Sequence, residues 1–169
     1  MVSVAANGEA GTAFCRCVVD SPVGELTLVF SAAGLYRVLF AAESGLGRGL
    51  AQVEARNARQ QFAEYFAGER RAFTLPLDLG ASSGFYRRVQ EELLKIPYGR
   101  TVGYGDLARR LGSAGASRAV GTGCAQNPLP IVVPCHRVVR ADGSVGNYRG
   151  GGEAKVFLLG LEAGLQRGT

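Results

Sequence analysis

Residues 131–140 read Ile-Val-Val-Pro-Cys-His-Arg-Val-Val-Arg, and the rest of the chain is best read outward from them. Cys135 stands directly before His136, the only histidine among 169 residues. Pro134 precedes the cysteine and β-branched residues flank the pair. The spacing predicts a short buried run, Ile131–Val133, that leads into Pro134-Cys135. A thiol with a free pKa near 8.5 is only roughly 3% thiolate at neutral pH. A base or a cation nearby raises that fraction, and His136 is the natural candidate. The stretch therefore nominates a reactive centre.

Downstream, Ala141–Gly152 reads as a glycine-rich loop. Glu153–Ala163 follows as a closing helix, with Val156, Phe157, Leu159 and Leu161 expected inward or close to it. Upstream, Asn127-Pro-Leu-Pro130 ends a helix over Ser117–Gln126. A second short helix, Tyr104–Leu111, comes before it, with Gly112–Gly115 as the turn. Two short helices around a glycine-containing turn fit a helix-turn-helix, and they fit an ordinary pair of packing helices equally well. Ser83–Ile96 carries Phe85, Val89, Leu93 and Leu94 at helical spacing and stops at Pro97-Tyr98-Gly99.

Leu79–Ser83 holds Gly80, Ser82 and Ser83, and a domain boundary is expected there, giving units 1–80 and 81–169. Before it, Phe14–Asp20, Gly24–Phe30 and Leu35–Phe40 are β-favouring runs separated by Ser21-Pro22 and Ala32–Gly34, as in an antiparallel meander. A Gly-containing loop, Glu43–Arg48, leads to a helix over Leu50–Phe66, and Phe73–Leu77 is a candidate for one more strand. Residues 1–12 are small and polar and read as a loose terminus. The fold class is α+β: a small antiparallel sheet with a helix, then a mostly helical domain carrying the helix pair and the Cys-His loop.

With 47% hydrophobic residues the chain can bury a sizeable core. Its net charge of +5 and pI near 9.3 favour polyanionic partners, although charge alone is a weak signal. The four cysteines, Cys15, Cys17, Cys124 and Cys135, do not space as a disulfide framework, and no signal peptide or membrane-length apolar run is seen. A reducing cytoplasm is the expected compartment. Cys15 and Cys17 fall on one face of a strand and read as small hydrophobes, as does Cys124 in its helix. A single histidine makes a four-ligand zinc site implausible.

Asn127-Pro-Leu-Pro-Ile-Val-Val-Pro-Cys-His-Arg-Val138 resembles the active-site motif of the methylated-DNA–protein-cysteine methyltransferases, the O6-alkylguanine-DNA alkyltransferases. Ser117-Arg-Ala-Val-Gly121, Gly146-Asn-Tyr148 and Leu158-Leu-Gly-Leu-Glu162 continue the match in the family's order, and Asp20-Ser-Pro-Val-Gly-Glu-Leu-Thr27 extends it loosely to the N-terminal part. The resemblance implies direct-reversal repair. An alkyl group passes irreversibly from the O6 atom of guanine in duplex DNA to Cys135, once per molecule, with no cofactor. The expected state is a monomer that could load cooperatively on DNA.

The resemblance also assigns roles. Cys135 is the nucleophile, and His136 is the base acting through a water, with Glu162 as its partner. Tyr104 donates to a ring nitrogen of the flipped guanine. Asn127 supports the loop. Tyr148 and Pro130 wall the alkyl pocket and the backbone amide of Arg149 faces O6. The carbonyls of Cys135 and Val138 accept from the guanine amino group. Arg118 enters the stack that the flipped base vacates, an exchange suited to a flat cation. Ser117, Ala119 and Gly121 keep that helix slim enough to approach the minor groove. Zinc-bearing members use histidine ligands that this chain lacks, so no metal is implied. Arg149 stands where a small residue also occurs in the family, and Gly150–Gly152 make its loop supple. Two other readings are a lesion-binding sensor, against which the presence of Cys135 argues, and a cysteine hydrolase, which leaves Arg118 and the helix pair without a task.

Overall fold

The computed structural model describes residues 14–41 and 52–165. The expected loose terminus, the Glu43–Arg48 loop and Leu50 lie outside the described residues. The chain forms two compact units, 1–81 and 82–169.

In the first unit, β1 (Cys15–Val19), β2 (Leu26–Ser31) and β3 (Gly34–Leu39) form an antiparallel sheet in that order. Cys15 pairs with Phe30 and Cys17 with Leu28, so both thiols sit on the buried face while Arg16 and Val18 point away. That alternation marks an edge strand with one wet face. β2 is buried along almost its whole length, as a central strand should be. Helix α1 (Gln52–Phe66) adds Ala58, Phe62 and Tyr65 to the same core. The buried Gln61 reaches no charge. Its amide instead pairs with Thr74, Nε2 to Oγ1 at 3.0 Å and Thr74 N to Oε1 at 2.9 Å. The candidate strand at 73–77 reduces to one parallel bridge, Leu77 to Leu35. The run is short and Pro76 has no N–H to donate to a ladder.

The second unit holds α2 (Gly84–Leu93), α3 (Tyr104–Arg110), α4 (Ser117–Ala125) and α5 (Gly152–Glu162). α2 crosses α4 closely: a Cβ on Gly123 would meet the Val89 side chain at 3.1 Å, so any side chain there would press on Val89. α2 also completes the end of α3, because Arg88 Nη2 donates to the Leu111 carbonyl at 2.7 Å, one of the acceptors a helix C-terminus leaves open. The turn at 111–116 then sends the chain into α4.

Two-residue strands β4 (Val102–Gly103) and β5 (Val138–Val139) pair in parallel, Val102 with Val138 and Gly103 with Val139. Each is too short to leave a periodic signature. Together they bind the start of α3 to the segment just after Cys135-His136. α5 buries Leu161 as expected and leaves Phe157 and Leu159 half-buried, but Val156 points outward and the innermost stripe includes residues not expected there. Ala154, Lys155, Leu158, Leu161 and Glu162 are buried and Val156 is 56% exposed. Hydrophobic spacing misjudged the helix because two of its inward residues are charged. The fold is α+β. Among the described residues, no helix is long and apolar enough to cross a membrane.

Candidate active site

The loop after α4 is held in an uncommon shape. Ile131 has φ of 76°, the only non-glycine residue among those described in the left-handed region. A β-branched side chain pays for that conformation, and the surroundings must enforce it. Asn127 is one enforcer. It is buried, its Oδ1 accepts from Leu129 N at 3.0 Å and its Nδ2 donates to the Val133 carbonyl at 2.7 Å. The chain then makes one 3-10 turn, Cys135–Arg137, and enters β5. Asn127 Nδ2 lies 3.2 Å from Cys135 Sγ, so the thiol's hydrogen bond comes from the amide and not from the adjacent histidine.

His136 and Arg137 face α5. His136 Nε2 lies 2.8 Å from Glu162 Oε1. Arg137 grips both carboxylate oxygens, Nε to Oε2 at 2.8 Å and Nη2 to Oε1 at 2.9 Å, and donates Nη1 to the Ile96 carbonyl at 2.5 Å. Gly99 N adds a donor to Oε2 at 3.1 Å. Burial alone would raise the Glu162 carboxyl; the His136 and Arg137 hydrogen bonds overturn that and hold it well below the usual carboxylate range. Burial lowers His136, and although Glu162 pulls the other way, the ring stays neutral.

Cys135 faces a different setting. Burial pushes its thiol up, opposed by the Asn127 hydrogen bond and the charges of Lys155 and Arg149. Lys155, fully buried on α5, donates Nζ to the Val138 carbonyl at 2.6 Å and lies 5.8 Å from the centre of the Tyr104 ring. Tyr104 begins α3. Burial, then the neighbouring Cys124 and Cys135, drive its hydroxyl up to about 12, so it keeps its proton at neutral pH. Gly146, at φ of 68°, brings its loop against that hydroxyl: a Cβ there would lie 3.1 Å from Tyr104 Oη.

Cys135 opens into a cavity of about 650 Å³. Of the expected residues, Tyr104, Ser117, Arg118, Gly121, Cys135, Tyr148 and Arg149 line it together. Ala119, Pro130 and Val138 do not, and the Val138 carbonyl is engaged by Lys155. Sequence reasoning missed Arg137, Arg140 and Lys155. A lysine sharing the inward stripe of Ala154, Leu158 and Leu161 was the available signal. Arg137, inside an otherwise apolar run, was another. Among the described residues, no group of three or more His, Cys, Asp or Glu could hold a metal ion.

Comparison with known proteins places this geometry. Residues 84–164 match the family model described as 6-O-methylguanine DNA methyltransferase, DNA binding domain, and 15–79 match its ribonuclease-like domain. A methylated-DNA–protein-cysteine methyltransferase of Mycobacterium leprae is 40% identical over 152 residues, covering 88% of this chain and 91% of that protein. One from Mycolicibacterium paratuberculosis is 50% identical over 105 residues, spanning 62% of this chain and 63% of that one. The crystal structure of Mycobacterium tuberculosis OGT in complex with DNA superposes with a TM-score of 0.78 at 38% identity, over 89% of this chain and 92% of the other.

Proposed function

The chain belongs to the 6-O-methylguanine DNA methyltransferase family, and from that membership we propose that it repairs DNA by direct reversal, moving the alkyl group of O6-alkylguanine onto Cys135. The observation that carries this reading is the Cys135 thiol opening into a cavity beside a buried His136–Glu162 pair. Duplex DNA is the partner, and the protein acts as a monomer.

A guanine within the duplex hides O6 in the stack, so the base must be rotated out at a cost of a few kcal/mol. Arg118, exposed on α4 at the cavity, fills the vacancy, and the small residues Ser117, Ala119 and Gly121 let the helix lie in the minor groove. His136, neutral at rest, takes the thiol proton through a water molecule, and Glu162 stabilises the imidazolium that results. The thiolate attacks the alkyl carbon as the C–O6 bond breaks. Negative charge then builds on the purine. Tyr104, still protonated, donates to it where that charge develops, an interaction stronger in the transition state than before it. Asn127 holds the loop and aims the sulfur. Tyr148 walls the alkyl group, and the Arg149 amide faces O6. Pro130 and Val138 act from behind the wall: Pro130 stiffens the loop, and the Val138 carbonyl holds Lys155. The thioether product is stable, so each molecule reacts once.

The test is intact-protein mass after incubation with a duplex bearing O6-methylguanine. One methyl group replacing the thiol hydrogen, absent in Cys135→Ser, is the expected result. Tight binding with no mass gain would instead make the protein a lesion sensor.

A further inference from the structure

Alkyl transfer uses one of two thiols that face the same cavity. Cys124, on the last turn of α4, lines it together with Cys135, and both are buried and free of disulfides. The other two cysteines, Cys15 and Cys17, belong to the first unit. One turn before Cys124 on the same face of α4, a Cβ on Gly121 would lie 3.9 Å from the Tyr104 ring, so Cys124 shares the side of the helix that closes on Tyr104. Asn127 joins the two cysteines. Its backbone N donates to the Cys124 carbonyl at 3.3 Å, and its side-chain Nδ2 donates to Cys135 Sγ at 3.2 Å. Residues 125–134 alone separate the pair along the chain, so a link between them closes a short loop within one unit. The thiols also feel each other's charge: burial pushes Cys124 up and Cys135 adds to it, while Lys155 pulls both the other way.

An apolar cavity wall needs no sulfur, and Cys124 supplies chemistry beyond its bulk. We propose that Cys124 is a resolving thiol: when a peroxide oxidises Cys135, Cys124 closes on it as a disulfide and switches the protein off reversibly. Only the activation of Cys135 is borrowed from the alkyl-transfer reading. The Cys135 thiolate attacks one peroxide oxygen; the S–O bond forms, the O–O bond breaks, and the hydroxide that leaves takes up the proton the thiol gave, as water. The Cys124 sulfur then attacks the sulfenic sulfur; the S–S bond forms, the S–O bond breaks, and that hydroxide leaves as water with the Cys124 proton. Hydrogen peroxide is reduced to two waters and the thiol pair is oxidised. Without a second thiol, more peroxide carries the sulfenic acid to the sulfinic acid, which thiols do not reverse. A disulfide is returned to two thiols by exchange with a dithiol, and Cys135 is then free for a lesion.

The experiment exposes the full chain to hydrogen peroxide, blocks remaining thiols and weighs the tryptic peptide 119–137, which holds both cysteines with no Lys or Arg between them. The expected result in the wild-type chain is the loss of two hydrogens, restored by dithiothreitol. Methyl transfer from an O6-methylguanine duplex is then measured after reduction, each protein scored against its own unoxidised rate. Cys124→Ala should recover at least about tenfold less than wild type, with oxygen added at Cys135 in place of the bridge. Oxygen added to the wild-type peptide with no loss of hydrogens overturns the proposal whatever the variant does. So does a bridge from Cys135 to Cys15 or Cys17, or equal recovery in the two proteins. A wild-type chain that forms the bridge but never accepts a methyl group supports the bridge and places the failure with the alkyl-transfer reading.

Discussion

The turn that carries Cys135, His136 and Arg137 has two unlike sides. On one, Glu162 is a buried anion whose charge is fully answered: two contacts from Arg137, one from His136 and one from the Gly99 amide. On the other, Lys155 is a buried cation held by a neutral carbonyl, with no carboxylate paired to it among the described residues and a thiol within reach of its field. The first side is electrically closed. The second is left one negative charge short, and the charge it lacks is the one Cys135 acquires when it loses its proton. A site built this way keeps its scaffold rigid where the charge is permanent and holds its counter-charge in reserve where the charge is transient.

Breaking the closed side should cost the most. Glu162→Gln leaves Arg137, 8% exposed, as a buried cation with no anion, and orphaning one member of such a pair costs about 3–5 kcal/mol. Chemical denaturation should register a loss of that size. A loss below about 1 kcal/mol would mean that water already reaches the cluster. Breaking the open side should look different. Lys155→Met removes a desolvated charge and leaves the Val138 carbonyl without its donor, two effects of opposite sign. Stability should change by no more than about 1 kcal/mol, while alkyl transfer slows by about tenfold or more because the thiolate loses its counter-charge. Lower stability with an unchanged transfer rate would reduce Lys155 to a packing residue.

How much of this could be read beforehand differs between the same two sides. Cys135, His136 and Glu162 sit in motifs whose order along the chain carries them, and β1 to β3 follow from alternation and turns. Lys155 was passed over because helical spacing is read from apolar residues, and a charged residue on the buried stripe counts against the face it belongs to, although it shares that stripe with Ala154, Leu158 and Leu161. Val156, apolar and exposed, counted for the wrong one. The β4–β5 pair was invisible for another reason. Two residues make no period, and the pairing joins positions far apart in the chain, Val102 and Val138. That contact nevertheless brings Tyr104 to the thiol. The left-handed Ile131 has no sequence signal either, since such a φ is expected of glycine.

The smallest effect bears on which force governs the closed side. His136 is the only histidine, so any change in stability near pH 6.5 that its replacement abolishes belongs to one side chain. Burial lowers its pKa and Glu162 raises it, with burial the larger. If burial wins, the unfolded chain takes up a proton near pH 6.5 that the folded ring refuses. Stability is then flat above that pH and declines as pH falls through it. If the Glu162 pair won, the folded pKa would be raised. Stability would then be greatest below pH 6.5 and would fall as pH rose. Glu162, held below its ordinary range, adds a second decline once pH drops under about 4.3, where the unfolded carboxyl protonates. Melting temperatures from pH 8 down to about 3 should therefore only decrease on acidification, and His136→Gln should erase the upper step and keep the lower one. A rise in stability between about pH 7 and 6 would reverse the sign, making the imidazole a resident cation and the closed side a true ion pair before any lesion arrives.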